Sequence, residues 1–211
     1  MPCGRAFDVR CRKHQAANYR NGHPLQLAVT SYQLKTYEDQ VRNALATQDG
    51  LWEPLRAAYR AMVASAQEQV KAIETRRCGD LRVLRAMRDI VRVDGSVDDK
   101  AAVVRLMAMG VMWHQDPGMF RSDNAFRHQV ALTFLKLSPD TKIRWRDRAT
   151  GKTTTSVLQF VPSRALRLMG QVLIEGMVVY GLKLSEKIEE KRKKDEAVRT
   201  TASNALVEFE P

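Results

Sequence analysis

Cysteine is scarce in this chain: Cys3, Cys11 and Cys78 are its three, among 211 residues. A sparse, odd count excludes a disulfide scaffold and points to a reducing compartment. Long apolar runs are missing too. No stretch reaches the roughly 18 consecutive apolar residues of a spanning helix. The best candidate, Val172 to Leu182, is short and contains Glu175. The opening residues, MPCGRAFDVRCRKH, lack the apolar segment of a secretory leader. These absences predict a cytoplasmic or nuclear protein, not a secreted one, with no transmembrane segment. Acid is also in deficit. Against 35 Lys and Arg stand 24 Asp and Glu, a formal net charge of +11 at pH 7. A field of that sign repels basic partners and attracts nucleic acid or anionic lipid headgroups.

Recognisable catalytic chemistry is the next absence. Gly151-Lys152-Thr153 resembles the end of a phosphate-binding loop, but the glycine required five places before Gly151 is Arg146, and a strand-like run follows instead of a helix. Cys3, Cys11, His14 and His23 do not come in the close pairs that compact zinc sites use. His114 and Asp116 share a loop without an evident third group. Helix-turn-helix, zinc-finger and RNP signatures are lacking as well. The expectation is a non-enzymatic protein with no cofactor and no metal.

What is present is apolar periodicity over a chain long enough to bury a core without disulfides or metal. Residues 1–32 read as an irregular basic arm, with Arg5, Arg10, Arg12, Lys13 and Arg20 against Asp8. A first stripe, Leu34, Tyr37, Val41 and Leu45, predicts a helix from Tyr32 to Thr47. A second, with Leu55, Ala58, Met62, Ala66 and Ile73, predicts one from Glu53 to Thr75. The short Asp49-Gly50 connection makes the two an antiparallel pair. A third helix is expected over about Asp80 to Val93. A fourth, Val97 to about His114, is apolar nearly all round and methionine-rich, which marks a buried centre or, less simply, an adaptable binding surface. Ser96 with Asp99 resembles a capping box at its start.

Val130 to Val161 reads as β-sheet. Ala131 to Leu137, Lys142 to Arg146 and Thr153 to Val161 give three short strands. Lys142-Ile143-Arg144-Trp145-Arg146 alternates cleanly, and Thr150-Gly151 supplies a hairpin loop. After Pro162, Ser163 caps a long last helix whose Gly170, Gly176 and Gly181 either weaken it or let it pack closely on a neighbour. The predicted fold class is α+β, mainly helical. It comprises an N-terminal bundle of about four helices, a three-stranded antiparallel meander near 130–161, and a long C-terminal helix. Residues 33–182 form one globular domain, and 183–211 a charged helical extension with a frayed tail.

Two segments concentrate positive charge. Residues 76–92 hold six arginines and two acids, a net of +4: Arg76 and Arg77, then Arg82, Arg85, Arg88 and Arg92 in a row along one helix face. Residues 136–152 hold six basic and two acidic residues, again +4: Lys136, Lys142, Arg144, Arg146, Arg148 and Lys152. A basic helix row and a basic two-stranded ribbon are both shapes that lie along a phosphate backbone. Arg76, Arg77, Arg82, Arg85, Arg88, Arg92, Lys142, Arg144, Arg146, Arg148 and Lys152 are therefore the candidate anion-binding residues. The function they predict is backbone binding of nucleic acid, or another polyanion, with little sequence reading. The alternative is a shell- or matrix-like structural protein that self-associates and rests on an anionic membrane or a nucleoprotein. Both readings require the two basic segments to share a face and their guanidinium groups to lack local carboxylate partners.

Overall fold

The structure is a computed structural model. It describes residues 11–48, 50–76, 79–139, 142–146, 151, 153–157 and 161–207, without the side chains of 142–146, 153–157 and 199–207. Its elements are helices α1 (Arg12–Asn21), α2 (Ser31–Thr47), α3 (Trp52–Arg76), α4 (Leu81–Asp94), α5 (Asp99–Gln115) and α6 (Asp123–Leu135), strands β1 (Lys142–Arg146) and β2 (Thr153–Val157), then α7 (Ser163–Leu173) and α8 (Val179–Val207). A π-helical turn, Ile174–Val178, joins α7 to α8.

Helix α5 is the axis of the molecule. Its buried residues run without interruption from Leu106 to Met112 and include Ala102, Val103 and Val104. A helix apolar on every side can only be stable when covered on every side. Here α2, α3, α6 and α8 all pack on it. Met107, Met109 and Met112 are fully buried, so the methionines fill core gaps and are not a binding surface. Burial of each such side chain stabilises the fold by about 1.5–3 kcal/mol before its ordering entropy is counted.

Glycine decides how closely α8 approaches. Gly110 on α5 lies against the backbone of Val178 and Leu182, and Gly181 lies against the backbone of Met107. A Cβ at either position would overlap a carbonyl oxygen of the facing chain. Gly170 is seated in the same way on α6, at the carbonyl of Arg127. By length and composition the helix over Ser163–Val198 could cross a membrane, yet 44% of its most apolar window is buried in the bundle. Gly170 and Gly181 in this helix make two of the close crossings.

The α+β expectation is wrong, and the fold is helical. No three-stranded meander forms. Its proposed first strand, Ala131 to Leu137, belongs mostly to α6. Phe126, Val130 and Phe134 recur every fourth residue, and with Ala131 and Leu135 they are buried. Ser122 caps the helix by accepting from the Ala125 N–H. Thr133, which suggested a strand, donates its hydroxyl to the carbonyls of Gln129 and Val130 one turn back. What remains of the sheet is a single antiparallel ribbon. Lys142 stands opposite Val157, Arg144 opposite Thr155 and Arg146 opposite Thr153. Gly151, between the two strands, takes a left-handed φ of 67°. The expected third strand begins as β2, and residues 158–160 of it lie outside the described residues.

Three smaller corrections concern partners and caps. Residues 12–21 are helical, not irregular, while the first ten lie outside the described residues. Helices α2 and α3 do not form the expected pair. α2 packs on α5 and α3 on α4, because the all-apolar α5 is the better cover for the α2 stripe. The α5 cap is Asp98, whose carboxylate accepts from Lys100 N and Ala101 N. Ser96 instead bonds Ser138 across the fold at 2.6 Å. Asp99 is freed to receive Arg56 (3.1 Å) and Arg60 (2.9 Å) from α3, tying α3 to the start of α5.

Candidate anion-binding groove

The arginine row of α4 does not meet solvent unpartnered. Asp89 is buried within the row, at 3% side-chain exposure, with Arg85 on one side at 2.9 Å and Arg92 on the other at 2.8 Å. Arg88 reaches across to Glu74 on α3, at 2.7 and 3.0 Å. Three of the four arginines that recommended this helix are therefore paired with carboxylates of the same fold, Arg85 and Arg92 sharing Asp89. Arg82 is the exception. Arg76 is exposed at the end of α3, and Arg77 lies outside the described residues.

The ribbon residues divide differently. Lys142, Arg144 and Arg146 occupy alternate positions of β1, and Arg148 and Lys152 lie outside the described residues. Lys136 is not part of any basic face. It sits at the end of α6 with its ammonium donating to the Val29 carbonyl at 3.1 Å, and burial lowers its pKa.

Arg82 faces a different set of cations. It stands in the first turn of α4, across from Arg164 and Arg167 in the first turns of α7 and Arg127 on α6. These four line two cavities that share Arg82, Arg164 and Arg167 and are together called the groove. The first, ≈ 470 Å³, lies between α1, α4 and α7 and is shared by Tyr19, Arg82, Arg164 and Arg167. The second, ≈ 600 Å³, lies between α4, α6 and α7 and adds Arg127, Asp80 and Leu168. None of the four guanidinium groups has a carboxylate within ion-pairing distance among the described residues. Asp80 is the one acid on the wall among the described residues. Its carboxylate is occupied as the α4 cap, accepting from Arg82 N at 2.8 Å.

The packing that positions these side chains is specific. Gly170 lets α7 touch the α6 backbone at Arg127, so Arg167 and Arg127 face the same gap. His128, the residue after Arg127, is fully buried, and its Nε2 donates to the Arg20 carbonyl at 2.9 Å, holding α1 on α6. Burial pushes the His128 imidazole down to about 4; the Arg20 carbonyl works in the opposite sense, and the charge of Arg167 adds to the lowering. His128 is thus neutral, and the positive charge of the groove comes from arginine alone.

The electrostatics oppose local convenience. Helix N-termini carry a partial positive charge and favour acids, by about 0.3–1 kcal/mol per residue. Arg82 in α4 and Arg164 in α7 place cations at that end. Pro162, the residue preceding α7, supplies no side-chain cap. The N-terminus of α7 and four guanidinium groups therefore converge on a space where Asp80, the cap of α4, is the one acid among the described lining residues, and an anion there would be favoured.

Other titratable clusters do not assemble a site. His114 Nδ1 is 3.6 Å from Glu189, whereas Asp116 receives the Tyr37 hydroxyl, so the two loop residues go to different partners. Cys11 Sγ lies 3.3 Å from His14 Nδ1, and no group of three metal-ligating side chains occurs among the described residues. Arg127, Arg164, Arg167 and Tyr19 were not anticipated from the sequence. The available signal was the cations in the first turns of α4 and α7.

Compared with protein-family models, curated proteins and solved structures, the chain matches none.

Proposed function

We propose that this protein is a non-enzymatic binder of phosphate-bearing polyanions, with nucleic-acid backbone as its ligand, and that the ligand lies in the groove between α1, α4, α6 and α7. The observation that supports this reading is the contrast within one helix. Arg85, Arg88 and Arg92 are paired with carboxylates, while Arg82 joins three other arginines on a wall without paired acids. Guanidinium groups fork onto phosphate oxygens and release counterions as they do so. Such contacts fix a backbone in place and read little sequence.

The test is fluorescence anisotropy of a labelled oligonucleotide against two double variants. Arg164→Ala with Arg167→Ala removes two groove cations and is expected to weaken binding by about tenfold for each guanidinium lost. Arg85→Ala with Arg88→Ala removes the same formal charge from the paired row and is expected to change binding by less than about threefold. Equal losses in the two variants would mean that net charge, not the groove, holds the ligand.

A further inference from the structure

We infer that the groove takes single-stranded nucleic acid, with a base stacked on Tyr19, in preference to a duplex. This rests on the reading of the groove as a phosphate site and names the form of ligand that fits it. The observation is Tyr19. It lies on α1, lines the same cavity as Arg82, Arg164 and Arg167, and is 53% exposed. Its ring has no aromatic or cationic partner among the described residues, unlike Trp113, Phe120 and Phe126, whose rings pack against one another in tilted and edge-on contacts.

An exposed aromatic face beside arginines is the pairing that unpaired bases use. The arginines track the sugar-phosphate chain while successive bases lie on side-chain rings, a contact tolerant of sequence because every base has a π face. Leu168, 37% exposed, is an apolar side chain on the wall of the second cavity. A duplex keeps its bases stacked inside and presents phosphate on a convex surface. It could touch the arginines at the rim but could not deliver a base to Tyr19. The first cavity, ≈ 470 Å³, falls within the roughly 300–1,000 Å³ of sites that enclose small ligands, room enough for a splayed nucleotide. Charge complementarity and the ring together favour this occupant over an acidic protein segment, which would satisfy the arginines and leave the ring unused.

The experiment uses the full chain and three labelled or competing probes. They are oligothymidylate of about 16 nucleotides, a duplex of the same length, and inorganic polyphosphate. The single strand is expected to bind at least about tenfold more tightly than the duplex. Tyr19→Ala should weaken single-strand binding by about 5- to 150-fold, the range of one base stacked on an aromatic side chain, and Tyr19→Phe should restore it. Competition by polyphosphate should be the same for the parent and Tyr19→Ala, because polyphosphate has no base to stack. Helix content and melting temperature of both variants show whether the fold is kept. Equal or tighter duplex binding, or a Tyr19→Ala variant that holds the single strand as the parent does, overturns the inference while leaving the phosphate site standing. Failure of polyphosphate and of every oligonucleotide to bind removes the phosphate site itself.

Discussion

Replacing Gly181 by alanine sets two effects of opposite sign against each other. In a helix interior, glycine is less favourable than alanine by about 1 kcal/mol, so propensity alone predicts a more stable protein. The structure predicts the reverse. A Cβ at position 181 overlaps the Met107 carbonyl oxygen and comes within 2.8 and 2.9 Å of the Met107 C and Cα. These are backbone atoms in the middle of α5, which is packed on all sides and cannot yield at one residue. Overpacking of this kind costs about 1–3 kcal/mol and sometimes more, and backbone clashes belong at the upper end. The net expectation is a loss of about 2 kcal/mol, or a melting temperature lower by about 4–8 °C for a chain of this size. Gly176→Ala is the control. The Cβ there meets the Sδ, Cγ and Cβ of buried Met62, a side chain that can give way in part where a backbone carbonyl cannot, and the loss should be smaller than at Gly181 by about 1 kcal/mol. Urea unfolding followed by circular dichroism measures both. A Gly181→Ala variant as stable as the parent, or more so, would refute the close crossing of α5 and α8.

Three further outcomes are expected. Asp99→Asn removes the carboxylate that receives Arg56 and Arg60. Because both arginines are about half exposed and can turn to water, the loss should be about 1–3 kcal/mol in urea unfolding, less than for a fully buried pair. His128 gives a pH dependence of fixed sign. Its folded pKa, about 4, lies below the ordinary histidine value of 6.5, so between those limits the unfolded chain binds the extra proton. Stability is therefore complete above about pH 6.5 and falls as pH drops toward 4, by roughly 3 kcal/mol in all; a urea midpoint unchanged between pH 7 and pH 4.5 would contradict the burial of a neutral imidazole. Arg88→Ala breaks only an exposed pair with Glu74, and it should move stability by less than about 1 kcal/mol and leave anion binding as it is.

Helices with a single apolar stripe were legible in the chain. The stripe of Leu34, Tyr37, Val41 and Leu45 marks α2 within one residue of its observed start, and the all-round apolarity of α5 marks it as the centre. The signals that failed were those decided by tertiary partners. Phe126, Val130 and Phe134 carry the helical period of α6, but Ala131 to Leu137 imitates a strand when the segment is read from Val130 onward. Asp89 could be read as a partner of Arg85 and Arg92 from spacing alone, at four and three residues. Glu74 could not be assigned to Arg88, because only the packing of α3 on α4 brings them together. The groove draws Tyr19, Arg82, Arg127, Arg164 and Arg167 from α1, α4, α6 and α7, elements with no common linear pattern. Its one local trace is the cations at the N-terminal ends of α4 and α7, which work against the helix dipole.

The claim on which the functional reading depends is that four groove arginines meet phosphate, and the salt dependence of binding measures it. Plotting the logarithm of the association constant for a single-stranded oligonucleotide against that of the salt concentration should give a slope of about −3 or steeper, at about 0.7 per neutralised phosphate. Arg167→Ala should flatten that slope by close to one such increment. A slope shallower than about −1 in the parent, or one that Arg167→Ala leaves unchanged, would contradict it.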